Sequence, residues 1–246
     1  MGKEDLYREE LRTLEDWDDY LLRESRLPGP RANLELARAV ADEGDEALFG
    51  RYLALDEEAA PTNSPYEFLA FCGVLGCGTL LAEGKLGLLP VLRRCASDPR
   101  WRIRESVAMG LQRWGAVDMD ALIQEMERWR VGTLLEQRAA AAALCEPRLL
   151  QDAAHSERVL QILDAITASL LTVEDRRSPE FKALRKGLGY CWSVAVCASP
   201  DAGQQRMESW FATDDADVRW IMKQNLKKRR LARMDAGWVA KWQARL

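Results

Sequence analysis

The sequence has one histidine, His155, in 246 residues, and none of its six cysteines (Cys72, Cys77, Cys95, Cys145, Cys191, Cys197) stands in a Cys-x-x-Cys pair. A structural or catalytic zinc draws on His and Cys at short recurring spacings, so no bound metal is expected. Cys72 and Cys77 lie five apart and Cys191 and Cys197 six, which puts neither pair on one helix face. All six read as small buried hydrophobes of a reducing compartment. Long apolar runs are missing as well. The most hydrophobic stretch, 68–82, is interrupted by Gly73, Gly76 and Gly78 and ends at Glu83, short of the roughly 20 apolar residues that cross a bilayer. The first twenty residues are acidic without an apolar core, so no signal peptide is expected. Leu6 stands where a myristoylation signal needs Ser or Thr. These absences predict a cytoplasmic protein with no membrane partner. They leave no cofactor to expect either: the glycines are in the wrong order for a dinucleotide fingerprint, and a lone His155 offers no triad.

Alternation with a period of two is absent too, and a period of 3.6 runs through nearly every segment. Helix starts are well marked. Ser64-Pro65-Tyr66-Glu67 and Thr133-Leu134-Leu135-Glu136 are capping boxes, the first with proline at the opening helical position. Asp98-Pro99 and Ser178-Pro179 place a cap residue before a first-turn proline. The prediction is an all-α chain, 48% hydrophobic and 30% charged as folded proteins are. Its charge is uneven. Residues 1–60 carry 17 acids against 8 bases, so a net −4 leaves +5 on the remainder.

Four segments repeat one another: 98–114, 134–147, 178–194 and 214–228. Each opens on a cap or acidic turn and carries an early arginine, Arg104, Arg138, Arg185 and Arg219, at separations of 34, 47 and 34 residues. Amphipathic helices are expected before each, over 86–96, 119–130, 156–171 and 201–211. A helix pair of this size cannot bury its apolar stripe alone, so neighbouring pairs must stack. The expected architecture is an α-solenoid, a superhelix of antiparallel helix pairs forming one domain over 1–246. Residues 1–62 form an acidic N-terminal cap with a first helix over about 4–25, residues 63–233 the repeats, and 234–246 a C-terminal tail. The Pro28-Gly29-Pro30 turn reads as an interhelix break or a rigid binding element.

This pattern of helix, Asp-bearing turn and second helix with an early Arg resembles the HEAT repeat. The resemblance implies a hydrogen-bonded ladder between adjacent repeats, made by an Asp in the turn and an Arg six residues on; Asp98 and Arg104 have that spacing, and Asp214 with Arg219 comes within one. More narrowly, Trp101–Trp114 and Phe181–Phe211 resemble the HEAT-like alkylpurine DNA glycosylases. That likeness implies a DNA-contacting Arg104 and a cleft aromatic at Tyr190. It also implies a catalytic Asp near 68–73, where the chain reads Phe68-Leu69-Ala70-Phe71-Cys72-Gly73 with no carboxylate. Base excision is therefore not expected and no catalytic residue is assigned.

One segment is strongly basic. Val218–Met234 holds seven cations and no acid, and on a continuous helix Arg219, Lys223, Lys227 and Arg230 form one stripe. Like charges at this spacing disfavour a helix slightly, which leaves a solvated face or an anion-binding surface as the two readings. The candidate partner-binding residues are Arg104, Arg138, Arg185, Arg219, Lys223, Lys227, Arg230, Trp101 and Tyr190. The expected function is a non-catalytic interaction scaffold gripping a protein partner on its concave face. Its alternative is DNA binding through residues 219–233.

Overall fold

The computed structural model describes residues 2–246 and is all-α: fifteen α-helices and two short 3-10 turns, with no strand among the described residues. Contacts gather into two compact units, one running to Val117 and the other Asp118–Leu246.

The first unit holds α1 (Lys3–Leu11), α2 (Asp18–Glu24), α3 (Leu34–Glu43), α4 (Glu46–Leu53), α5 (Pro65–Ala82), α6 (Leu89–Cys95) and α7 (Trp101–Gly115). Helices α1, α3, α5 and α7 pack in succession, while α2, α4 and α6 lie against α5. The Ser64 hydroxyl accepts from the Glu67 amide at 3.2 Å and starts α5, with Pro65 in its first turn. Gly73, Gly76 and Gly78 lie within this helix. They are its contact points: a Cβ on Gly76 would lie 2.3 Å from the Phe49 ring, and one on Gly78 would lie 2.4 Å from Gly110 Cα. A helix apolar on every side must be enclosed. By length and composition α5 would be able to cross a membrane, yet 78% of it is buried inside the unit.

The helix expected over 4–25 is two helices. The chain breaks between Leu11 and Asp18, where the Leu11 carbonyl at the α1 C-terminus accepts from the Leu14 amide at 3.2 Å and from the Trp17 indole at 3.0 Å. Glu43 then receives Arg8 at 2.8 Å and Arg12 at 2.6 Å, pinning α1 to α3. Helix α7 starts at Trp101 rather than within Asp98-Pro99.

The second unit holds α8 (Met119–Trp129), α9 (Leu134–Leu144), α10 (Ala153–Ser169), α11 (Pro179–Ala198), α12 (Pro200–Phe211), α13 (Ala216–Leu226), α14 (Arg229–Met234) and α15 (Ala236–Gln243). It is built in two rows, α8–α10–α12 and α9–α11–α13, with each helix also packed on its neighbour in the chain. The Thr133 box forms as the spacing predicts: Thr133 Oγ1 accepts from the Glu136 amide at 3.2 Å and Glu136 accepts from the Thr133 amide at 3.0 Å. Ser178 caps α11 and Asp215, not Asp214, caps α13.

Val107, Leu111, Leu144, Leu188 and Ile221 are fully buried in their units. Removing a side chain such as Leu111 to Ala typically costs about 2 to 5 kcal/mol. The buried Asn225 fixes the packing of α13 on α11. Its amide donates to the Leu188 carbonyl at 2.9 Å and the Ile221 carbonyl at 2.8 Å while its oxygen accepts from the Ser193 amide at 2.8 Å, so both donors and the acceptor of this enclosed group are satisfied. The segment read as a C-terminal tail contains α15, and the Trp238 and Trp242 indoles both donate to Glu208 of α12, at 2.7 and 3.0 Å.

Candidate functional site

The basic segment does not form one helix. Helix α13 ends at Leu226, Lys228 is extended (φ −78°, ψ 126°), and α14 restarts at Arg229. This break divides the expected stripe. Arg219, Lys223 and Lys227 lie on the edge of α13 toward the end of the chain, where Arg219 donates to the Leu246 carbonyl at 3.4 Å and a 310 Å³ hollow separates the two lysines from Gln243 and Leu246. Arg230 swings instead to α11. Its guanidinium donates to the Tyr190 hydroxyl and sits 4.6 Å above the ring, and Lys228 approaches the same ring at 5.5 Å.

Tyr190 is 43% exposed, and on α11 it continues a row that no repeat motif marks in the sequence. Lys182, Lys186 and Tyr190 recur every four residues on the solvent side of the helix, all three exposed. That period places them on one face. No acid occurs from Lys182 to Tyr190 or from Val218 to Met234. Arg138 reaches this face from α9, its Cγ 3.5 Å from where a Cβ on Gly187 would stand. Arg185 lies on the other flank of α11, its guanidinium 3.9 Å over the Trp220 ring and its Nε 2.8 Å from Asp217. A guanidinium stacked and ion-paired in this way is held in place. Asp217 is also bound by Arg176 at 3.2 Å, and Asp215 by Arg176 at 2.6 Å. Burial works against ionising Asp215, but the Val218 amide and Arg176 outweigh it and hold its carboxyl below the usual range. Nothing equivalent anchors the charges of Lys182 and Lys186, which have no ion pair among the described residues. Among the expected residues, the structure therefore brings Arg138, Arg185, Tyr190 and Arg230 around α11. It leaves Arg219, Lys223 and Lys227 on the α13 edge.

Trp101 and Arg104 belong to the first unit. Arg104 donates to the main-chain carbonyls of Asp98 (2.5 Å) and Pro99 (2.8 Å) rather than to the Asp98 carboxylate. Arg100 takes that carboxylate, at 2.9 and 2.8 Å, because it is two residues away and shares its buried turn. The six-residue spacing thus yields a turn clasp in place of the expected side-chain bond. Arg219 likewise pairs with Leu246 and not with Asp214. Trp101, 46% exposed, borders a cleft on the α3–α5–α7 row. His155 sits in the first turn of α10, 3.5 Å from Asp120, whose carboxyl is held low first by Arg158 and then by His155. Burial raises the Cys72 thiol well above its ordinary value and pushes Cys77 up to about 12.

Comparison with family models, curated proteins and solved structures finds no match. The geometry carries the functional reading by itself.

Proposed function

We propose that this chain is an α-solenoid of HEAT-like helix pairs, a binding module whose second unit holds the phosphate backbone of nucleic acid. Supporting the architecture are the two helix rows of the second unit, the α1–α3–α5–α7 row of the first, and the recurrence of a first and second helix at the expected positions. The observation that carries the function is the row Lys182, Lys186 and Tyr190 on α11, joined by Arg138 from α9 and by Lys228 and Arg230 beside Tyr190. Exposed cations along one helix, without interleaved carboxylates, suit a polyanion whose charges recur along a line. Counterions released from that line supply the affinity. An exposed aromatic among them gives a sugar or base a surface to lie on. Contacts of this kind do not read sequence.

The test is binding of a labelled duplex of arbitrary sequence between about 50 and 200 mM salt, for the native chain and a Lys182→Glu, Lys186→Glu variant. Dissociation constants on the order of 10⁻⁴ to 10⁻⁶ M are expected near physiological salt. Affinity should fall steeply with salt, and the variant should lose most of it. Absence of binding at low salt, or equal binding by the two proteins, rejects the reading and makes the partner a protein.

A further inference from the structure

The Pro-Gly-Pro turn that the sequence left between two readings builds one wall of a cleft in the first unit. Arg26, which precedes it, has φ 61°, a left-handed conformation that a non-glycine residue adopts only where its surroundings enforce it. The surroundings do so here. A Cβ on Gly29 would lie 2.5 Å from the Arg26 carbonyl, so only glycine fits beside it. The Gly29 amide donates to Asn63 at 3.0 Å, and Arg102 grips the Gly29 carbonyl at 2.6 Å, Asn63 at 3.1 Å and Glu67 at 3.0 Å. The turn is thereby locked to α5 and α7. Its two flanking arginines, Arg26 and Arg31, are presented at the mouth of a 520 Å³ cleft together with Arg38 of α3.

The cleft has three chemically distinct parts. Its rim is cationic and loosely engaged: Arg26 is 3.7 Å from Glu35, Arg38 is 3.9 Å from Glu4, and Arg31 has no ion pair among the described residues. Its wall is apolar, made by Leu34, Met109 and the half-exposed Trp101, whose ring lies 4.5 Å from the Arg102 guanidinium. Arg102, with a side chain only 5% exposed, lines the cleft and keeps its Nε without a hydrogen-bond partner. Glu35 and Glu105 supply carboxylate acceptors within the same lining.

We propose that this cleft binds a single nucleotide, its phosphate on Arg26, Arg31 and Arg38 and its base on Trp101. The cleft volume falls in the range of sites for ligands of that size. Guanidinium groups match phosphate oxygens in a bidentate fork, an aromatic ring gives a base a stacking surface, and carboxylates accept from base N–H groups. The site is separate from the α11 face, and its test does not depend on that face.

Calorimetry with adenosine and guanosine 5′-monophosphates, against the matching nucleosides and ribose 5-phosphate, measures it. The full nucleotides should bind at least tenfold more tightly than either half. Trp101→Ala and, separately, Arg31→Glu should each weaken binding tenfold or more, while Lys182→Glu, Lys186→Glu leaves it unchanged. Arg31 is exposed and unpaired, so its substitution leaves the fold intact even if Trp101→Ala does not. In the Lys182→Glu, Lys186→Glu background, which disables the α11 face, a short single strand compared with free nucleotide identifies the source: tighter binding of the strand, lost when Trp101→Ala or Arg31→Glu is added, places the nucleotide within a chain, and preference for the free nucleotide makes it a small-molecule ligand. No binding of any nucleotide, or binding that neither variant weakens, overturns the proposal.

Discussion

Gly78 of α5 and Gly110 of α7 meet main chain to main chain, so closely that a Cβ on Gly78 would sit 2.3 Å from the Gly110 carbonyl oxygen. The relationship is not symmetric. A Cβ on Gly110 would have as its nearest atom the Val74 carbonyl oxygen at 3.3 Å, a contact that a shift of a few tenths of an ångström relieves. Gly78→Ala must therefore push α5 and α7 apart, at a cost of about 1 to 3 kcal/mol or more. Gly110→Ala should cost less than half of that, because alanine also lowers the entropy lost on folding a helix. Urea unfolding of the two variants gives the comparison. Equal destabilisation would mean that the helices are not in van der Waals contact at this point.

A second prediction concerns Arg100, whose side chain is 5% exposed. It donates to the carbonyls of Leu55 (3.0 Å), Asp56 (3.0 Å) and Ala60 (3.1 Å) and forks onto Asp98. One guanidinium thus closes the loop after α4 onto the turn before α7. Arg100→Met leaves the Asp98 charge and three carbonyls without their donor, and should cost about 3 to 5 kcal/mol. Arg100→Lys should recover little of this, since a point charge cannot serve acceptors in four directions. Thermal melts that rank the lysine variant with the native protein would contradict the assignment.

Asp215 separates two effects that sequence reasoning merges. Its oxygen accepts from the Asp217 and Val218 amides, both at 3.0 Å, and its charge pairs with Arg176 at 2.6 Å. Asparagine caps a helix as well as aspartate does, so Asp215→Asn removes the charge and keeps the cap. The folded carboxyl titrates below its ordinary value. Its ionisation therefore stabilises the fold in full above the unfolded value near pH 4, and the contribution disappears as pH falls further. The native protein should exceed the Asn variant by about 1 kcal/mol at pH 7 and lose that advantage toward pH 3. A difference that stays constant with pH would show that Arg176 contributes nothing through charge.

The caps and the helix pairs were legible in the sequence because they depend on residues three or four apart. Ser64, Thr133 and Ser178 bond the amides that their spacing selects, and the fully buried residues fall on the expected helix faces. What escaped was non-local or unmarked. The break at Lys227–Lys228 has neither proline nor glycine; α14 departs there because Leu231 is buried and Arg230 reaches Tyr190, forty residues away in the chain. The Asp98–Arg104 spacing suggests a ladder between repeats, but Arg104 turns back on the Asp98 and Pro99 carbonyls and Arg100 takes the carboxylate from a nearer position. Lys182 and Lys186 carry no repeat signature in the sequence, whereas the repeat-marked Arg185 has its charge taken up by Asp217 and Trp220. The cleft in the first unit gathers Arg26, Arg38 and Trp101 from three separate segments, and no spacing in the sequence announces it.

The division of the basic stripe leads to the last prediction. On a continuous helix Lys223, Lys227 and Arg230 would act together, and reversing any two charges would have the same effect on binding a polyanion. In the folded chain they do not share a surface. Arg230 is fixed beside Tyr190 and the Lys182–Lys186 row, whereas Lys223 and Lys227 flank a hollow next to Gln243 and Leu246. If the phosphate backbone follows α11, a Lys186→Glu, Arg230→Glu variant removes two phosphate contacts. The slope of log affinity against log salt should then fall by about two, near 0.9 per contact. Lys223→Glu, Lys227→Glu changes the net charge by the same amount, so long-range attraction drops equally, but screening confines that effect to roughly 10 Å at 0.1 M salt. Its slope should stay within about half a unit of the native value. The pair of variants therefore distinguishes a located track from general charge attraction, which net charge alone would govern. Equal slopes for the two variants would remove α11 as the track, and a larger change for Lys223 and Lys227 would move it to the α13 edge.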